Sequence, residues 1–224
     1  QDRVEVSAAR PTGALPLPIW AGELIGRDDV VGGIARLVDA GASVVTVTGP
    51  GGFGKTRCAA EAARLAGTRY DGLIDLSGTA TAAELALHLA GSIEAPGRDD
   101  PIAAIADTLA GRRCVVLLDN VEQIEDAGDV VARLARHCPT VTWLVTSRTE
   151  LGLDVEQVVR LTPLAHESVP GQVSPATRLL IAAARRRGIE PAPAATPLLN
   201  RITAAIGGIP LALELAACQL RTMD

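Results

Sequence analysis

The sequence predicts an α/β fold, a parallel sheet covered by helices on both faces, followed by a small all-α part. Three observations carry this. Short β-branched or aliphatic runs alternate with stretches of helical period, the order that builds βαβ units. The strand-like runs are apolar throughout, so both of their faces are buried. After Pro163 only helical periodicity remains.

The elements follow in order. Residues 1–22 carry Pro11, Thr12, Gly13, Pro16 and Pro18 with little periodicity and read as a linker or extended arm. From Glu23 to Ala40, Val30, Ile34, Leu37 and Val38 share a helical face, with Asp28 placed to cap its start. Ser43–Thr48 is a buried strand that runs into a glycine-rich loop, and residues 55–66 are a helix closed by Gly67. Tyr70–Leu76 is a second strand, and Thr81–Ala90 and Pro101–Ala110 are helices. Cys114–Leu118 is a third strand ending at Asp119, and Asp129–His137 is a helix. Thr140–Thr146 and Glu156–Leu161 are the fourth and fifth strands. Helices over about 174–187, 196–206 and 209–221 complete the chain. The domains expected are a linker over 1–22, a nucleotide-binding domain over 23–165, and a truncated helical subdomain over 166–224.

Composition narrows the class. Hydrophobic residues make up 48% and aromatics only 2%, so Ala, Val, Leu and Ile must build the core. A net charge of −5 argues against a nucleic-acid footprint on this segment, which would need a basic face. Cys58, Cys114, Cys138 and Cys218 form no CxxC pair, and His88, His137 and His166 are scattered. Buried, reduced thiols of a cytoplasmic protein are expected. No apolar run reaches the roughly 18 residues of a membrane span. The start at Gln1, with no signal-peptide pattern, and a last helix without a cap read as a piece of something longer.

The chemistry concentrates in one loop. Gly49-Pro50-Gly51-Gly52-Phe53-Gly54-Lys55-Thr56 matches the P-loop pattern GxxxxGK[ST] between a strand and a helix. Glycines let backbone N–H groups wrap a phosphate, and the helix start adds positive potential. Lys55 is the only lysine of the chain, beside 20 arginines; a compact ammonium suits a tight phosphate cradle better than a guanidinium. Lys55 would bridge the β- and γ-phosphates, and Thr56 would ligate Mg²⁺.

Asp119 closes an apolar strand, the Walker B placement for a carboxylate that holds Mg²⁺. Asn120 stands where many P-loop ATPases carry a water-activating Glu, and an amide has no useful basicity. Glu122 is open between that role and a solvated loop charge, the second being preferred. Slow hydrolysis is therefore expected. Arg148 follows the fourth strand, where C-terminal strand ends line a ligand crevice, and would sense the γ-phosphate. Pro210 after Gly207-Gly208 reads by itself as ordinary helix-start chemistry. Arg185-Arg186-Arg187 reads as a solvated face or an intersubunit contact.

Taken together, the motifs resemble a known family. Leu24-Ile25-Gly26-Arg27-Asp28 resembles the "hhGRE" motif of STAND-class NTPases, GPGGFGKT their P-loop, and VVLLDNVE their Walker B strand. LVTSR resembles their sensor-1 strand, Leu161-Thr162-Pro163-Leu164 their "L.PL" junction, and GGIPLALELAA their GxP motif. The chain is thus similar to the NB-ARC/NOD module. Its wording is closest to bacterial transcriptional regulators of the SARP and LuxR-ATPase types.

The resemblance implies a P-loop NTPase sheet of order 5-1-4-3-2 and a lid-like helical subdomain. It implies ATP/ADP and Mg²⁺ as ligands, with Ile25 and Gly26 at the adenine, Arg27 close by, and Pro210 packed on the base. Gly49, Gly51, Gly52, Phe53, Gly54, Lys55, Thr56 and the following Arg57 would form the phosphate-binding set, with Lys55, Asp119 and Arg148 as catalytic residues. It implies a switch in which ADP holds a closed monomer and ATP permits homo-oligomerisation. A winged-helix subdomain with a phosphate-contacting His would lie beyond Asp224, an effector domain upstream, and DNA contact only in segments absent here. A dedicated ATPase or small-molecule kinase is the alternative; it should add a substrate pocket and a base. A third reading, an interaction module with a dead nucleotide site, conflicts with the intact Lys55, Thr56 and Asp119.

Overall fold

The computed structural model describes residues 17–97, 99–167 and 172–220. The expectations for residues 1–16 and for the helix end beyond Leu220 lie outside them. The elements are α1 (Asp28–Asp39), β1 (Val44–Thr48), α2 (Lys55–Leu65), β2 (Arg69–Asp75), α3 (Ala82–Ser92), α4 (Pro101–Leu109), β3 (Cys114–Asp119), α5 (Ala127–His137), β4 (Val141–Ser147) and β5 (Glu156–Arg160). Three helices follow: α6 (Pro175–Arg185), α7 (Thr196–Ile206) and α8 (Pro210–Gln219).

All five strands are parallel, in the order β2-β3-β4-β1-β5. Read from the other edge this is 5-1-4-3-2, the expected order. The strand between β1 and β3 is β4, so the strand feeding the P-loop, the strand before Arg148 and the strand ending in Asp119 lie side by side. Pairing of Thr48 with Ser147 and of Asp75 with Asp119 brings their C-terminal ends to one edge.

The period-2 geometry of a strand sorts side chains onto two faces. On β3, Cys114, Val116 and Leu118 enter one core with Trp143, Leu85, Ile105 and Leu134. Val115 and Leu117 enter the other with Ile34, Val38, Ala59 and Ala63. Small alanines on α2 let that helix lie close against the sheet, which fits a core with few aromatics.

Capping sets several boundaries. Thr81 accepts from Glu84 N while Glu84 reaches back to Thr81 N, a capping box that places Thr81 before α3 and not inside it. Asp100 caps α4 with Pro101 as its first residue, and Ser174 caps α6 ahead of Pro175. Asp28 does not cap α1. It is the first helical residue, the cap position is Arg27, and Asp28 with Asp29 instead meets the positive helix end. The helix after the P-loop ends at Leu65 with Ala66, not Gly67, at its C-cap, and α5 begins at Ala127 rather than at Asp129.

Residues 17–22 lie against the domain. Leu17 and Trp20 pack on the α2 side of the sheet, Trp20 lies 5.8 Å from the Arg64 guanidinium, and Arg57 donates to Gly22 O.

The C-terminal helices build their own small cores: Leu164, Ala176, Leu179 and Leu213 with Ile25, and Leu180, Ala183, Leu199 and Ala217. They are tied back by main-chain bonds. Leu164 N donates to Gly208 O (2.9 Å), and Leu211 N donates to Gly52 O (3.1 Å) within the glycine-rich loop. Gly208 has φ +67, and a Cβ there would stand 2.1 Å from Leu164 O, so no larger residue fits this junction.

Candidate functional site

The loop 49–54 turns between β1 and α2 through Gly52 (φ +79) and Gly54 (φ +88), both left-handed. Gly54 ends the loop, and α2 starts at Lys55. The first donor with a partner inside this helix turn is Cys58 N, bonded to Gly54 O at 2.9 Å. The amides of Lys55, Thr56 and Arg57 precede it and carry the partial positive charge of the helix start.

Lys55 is 9% exposed. Its Nζ donates to Gly49 O (2.9 Å) and Pro50 O (3.3 Å), so the ammonium lies across the loop. Burial lowers its pKa most; Glu122 opposes this, Arg148 adds to it, and Asp119 opposes it. Thr56 Oγ1 donates to Asp119 Oδ1 at 2.7 Å, and Thr146 Oγ1 donates to the same oxygen. Asn120 Nδ2 donates to Asp119 Oδ2 at 3.2 Å. Burial raises the Asp119 pKa, while the bonds from Thr146 and Thr56 pull it down. A desolvated carboxylate beside a threonine hydroxyl suits a hard cation. Among the described residues no group of three or more His, Cys, Asp or Glu could hold a metal by itself. A magnesium ion here would need phosphate oxygens to complete its shell, as it does in nucleotide sites.

A cavity of about 730 Å³ opens above the loop, within the size range of small-molecule sites. Gly51 to Cys58 form part of its wall. Asn120, Glu122 and Arg148 enter from the ends of β3 and β4, and Leu164, Leu179, Pro210 and Leu211 from the C-terminal part. Ile25 and Arg27 line it as well. Three expected site residues stand behind the wall. Gly26 packs on Pro175, Gly49 lies under Leu161, and Asp119 sits beneath Thr56.

Arg27 is only 6% exposed, and its Nη2 donates to Thr162 O (2.7 Å) and Phe53 O (3.4 Å). Its guanidinium thus joins the chain before α1 to the loop and to the turn after β5. Phe53 places its ring in the core, 8% exposed, and turns only backbone to the loop.

Glu122 differs from its preferred sequence reading. It is no solvated charge: its side chain is 12% exposed, and Oε1 accepts from Arg148 Nε at 3.1 Å. The three residues of the arginine run are exposed, as a solvated face requires. Arg185 pairs with Glu190 (2.6 Å), and Arg186 and Arg187 also line the cavity, with Arg186 paired to Glu214 at 3.2 Å. Trp20 and Ala21 form a further part of the rim. No local pattern marks these residues. Only the packing of α6, α8 and the 17–22 segment around the loop brings them together.

No protein-family model matches the chain. It is 32% identical over 195 residues to a Mycobacterium tuberculosis (strain H37Rv) protein named "Putative HTH-type transcriptional regulator", covering 81% of this chain and 20% of that one. An uncharacterized protein of the same organism is 30% identical over 212 residues, covering 89% and 51%. The chain therefore spans about a fifth of the first relative's length and about half of the second's.

Among solved structures, Cdc6p of Pyrobaculum aerophilum superposes with a TM-score of 0.66 at 15% identity, over 91% of this chain and 62% of that one. A STAND protein with a tetratricopeptide repeat sensor from Pyrococcus horikoshii gives 0.55 at 16%, over 90% and 30%. AMPPCP-bound DnaA from Aquifex aeolicus gives 0.51 at 12%, over 92% and 63%. The parallel sheet, its strand order and its flanking helices are those of the P-loop NTPase fold.

Proposed function

We propose that this chain is the ATP/ADP-binding switch module of a bacterial signalling or transcriptional regulator, of the NB-ARC kind found in SARP-type and LuxR-ATPase-type proteins. The observation that carries the reading is a single cavity with two kinds of wall. The phosphate-loop side offers Lys55, Thr56 and the α2 amides, and the C-terminal part offers Leu164, Leu179 and Pro210. A nucleotide that touches both parts can bias their arrangement through its differential affinity for each state.

In this reading residues 23–165 are the nucleotide-binding domain, 166–224 a helical lid, and 1–22 the arm from an upstream domain. The α2 amides and Lys55 hold the phosphates. Thr56 and Asp119 would hold Mg²⁺, which on binding would neutralise phosphate charge. Ile25 and Pro210 frame the base with Gly26 behind that wall, Arg27 braces it, and Arg148 meets the γ-phosphate. Exchange of ADP for ATP would release a closed monomer for oligomerisation in the cytoplasm, with DNA contact left to other segments of the full-length protein. The structures of DnaA with AMPPCP and of the archaeal STAND protein, both of this fold, support a nucleotide in the cavity.

Mass analysis of nucleotide released on denaturing the purified protein tests the reading, together with steady-state turnover. Retained ADP and very slow turnover are expected. Rapid multiple turnover, or phosphate transfer to a metabolite, would favour a dedicated ATPase or kinase instead.

A further inference from the structure

The cavity has two groups of lining residues with opposite chemistry. The polar group is Lys55, Thr56, Glu122 and Arg148. These lie close together: Arg148 Nε donates to Glu122 at 3.1 Å, and both charges act on Lys55. The apolar group is separate. Ile25, Leu164 and Leu179 share one small core, while Trp20 and Leu24 pack against the α2 side of the sheet. Phosphates belong with the first group, and an aromatic base belongs with the second.

Trp20 stands out in the apolar group. The chain has two tryptophans, and the other, Trp143, is fully buried in the core on the opposite face of the sheet. Trp20 is half-buried and borders the cavity. Two arginines of α2 hold its segment in place. Arg57, the residue after Thr56, donates from Nη2 to Gly22 O. Arg64, about two turns further along the helix, donates from Nη2 to Leu17 O (3.3 Å) and to Pro18 O, and its guanidinium stands 5.8 Å from the Trp20 ring centre. From the other side Arg186 closes over Gly22, where a Cβ would lie 2.8 Å from Nη1. Residues 17–22 are thus clamped between α2 and the end of α6. The acceptors of the α2 arginines are main-chain carbonyls, so the clamp fixes the path of the backbone and leaves the indole as the part that meets the cavity.

We infer that Trp20 is a base-contacting residue of this site, its indole stacking on the purine, an assignment that rests on the reading of the cavity as an ATP/ADP site. The Arg57 tie is made one residue from Thr56. The same helix turn that holds the phosphates therefore sets the distance from them to the indole. A stack reads the base and not the length of the phosphate chain, so Trp20 serves ATP and ADP alike. Arg148, in contrast, would distinguish them.

The test is calorimetric titration of ATP, ADP and inorganic tripolyphosphate, each with Mg²⁺, into the parent, Trp20→Ala and Trp20→Phe. Trp20→Ala should weaken ATP and ADP equally, by about tenfold, the scale of one lost base–aromatic stack. Tripolyphosphate has no base, and its affinity should stay within about twofold. Trp20→Phe should recover most of the nucleotide affinity. Emission gives a second readout that needs only the conservative variant: ADP should change the tryptophan fluorescence of the parent, and Trp20→Phe should erase that change. Unchanged ATP affinity in Trp20→Ala overturns the assignment. So does a loss for tripolyphosphate as large as that for ATP, which would make the segment a support of the phosphate loop. A parent emission that ignores saturating ADP, or a change that persists in Trp20→Phe, overturns it as well. A parent that binds neither nucleotide refutes the ATP/ADP-site reading itself, a separate outcome.

Discussion

Arg27→Ala separates a brace from a ligand contact. The guanidinium is almost fully enclosed, and burial lowers its pKa while Cys58 opposes the shift. Its 2.7 Å bond to Thr162 O is charge-assisted and joins residues 135 positions apart. Such a bond contributes about 1.5–3 kcal/mol, and the 3.4 Å bond to Phe53 O a fraction of that. Adding the packed aliphatic stem gives a loss of about 2–4 kcal/mol. For a chain of this length that is a fall in Tm of about 4–16 °C. Thermal unfolding should be followed without nucleotide and with saturating ADP, and the drop should appear in both series. Arg27→Lys should recover only part of it, since an ammonium lacks the planar fork. A Tm within about 2 °C of the parent's, combined with a large loss of ADP affinity, would refute the brace and make Arg27 a nucleotide contact.

Three further outcomes are expected. Lys55→Ala should abolish measurable ATP and ADP binding in a calorimetric titration; unchanged affinity would remove the P-loop assignment. Arg148→Ala should weaken ATP more than ADP, by about tenfold for a lost charge-assisted contact, and equal losses would end its sensor role. Asp119 has a raised native pKa. Between the ordinary carboxylate value and that raised one, the folded chain keeps a proton the unfolded chain has released. Stability therefore declines as pH rises through this window. Asp119→Asn should flatten that slope and remove the Mg²⁺-dependent part of ATP affinity; an unaltered slope in unfolding curves from pH 4 upward would contradict the buried-charge account.

The fold was legible because its signals are local. Apolar β-branched runs such as Val44–Thr48 and Cys114–Leu118 have one way to be buried, and the P-loop names the strand and helix on either side of it. Asp119 and Thr56 could be paired by motif alone, and they meet at 2.7 Å. What stayed hidden depends on direction in space. Asp28 satisfies the composition rule for a cap, yet the backbone enters α1 one residue earlier. Glu122 and a solvated glutamate have the same letter and the same neighbours; only the left-handed step at Asn120 decides between them. Arg186 and Arg187 are the surface charge the sequence implies, but nothing within α6 reports that the cavity lies beside them. Trp20 was unreadable for the same reason, lying in a proline-rich stretch without period.

The bond from Leu211 N to Gly52 O is made by two main-chain groups. Of the replacements at position 211 only proline, which has no N–H, removes the donor, so other drift leaves this link between phosphate loop and C-terminal helix its two groups. What drift can reach is the space around it. A β-carbon on residue 52 would stand 2.9 Å from the Leu211 Cβ, so every departure from glycine there acts as a wedge. The atom in the way is the Leu211 Cβ, which every residue but glycine carries, so trimming the side chain at 211 does not relieve the contact, and the left-handed backbone at residue 52 (φ +79) disfavours a side chain there in any case. The spacing between phosphate loop and C-terminal helix is thus fixed by backbone and β-carbon alone.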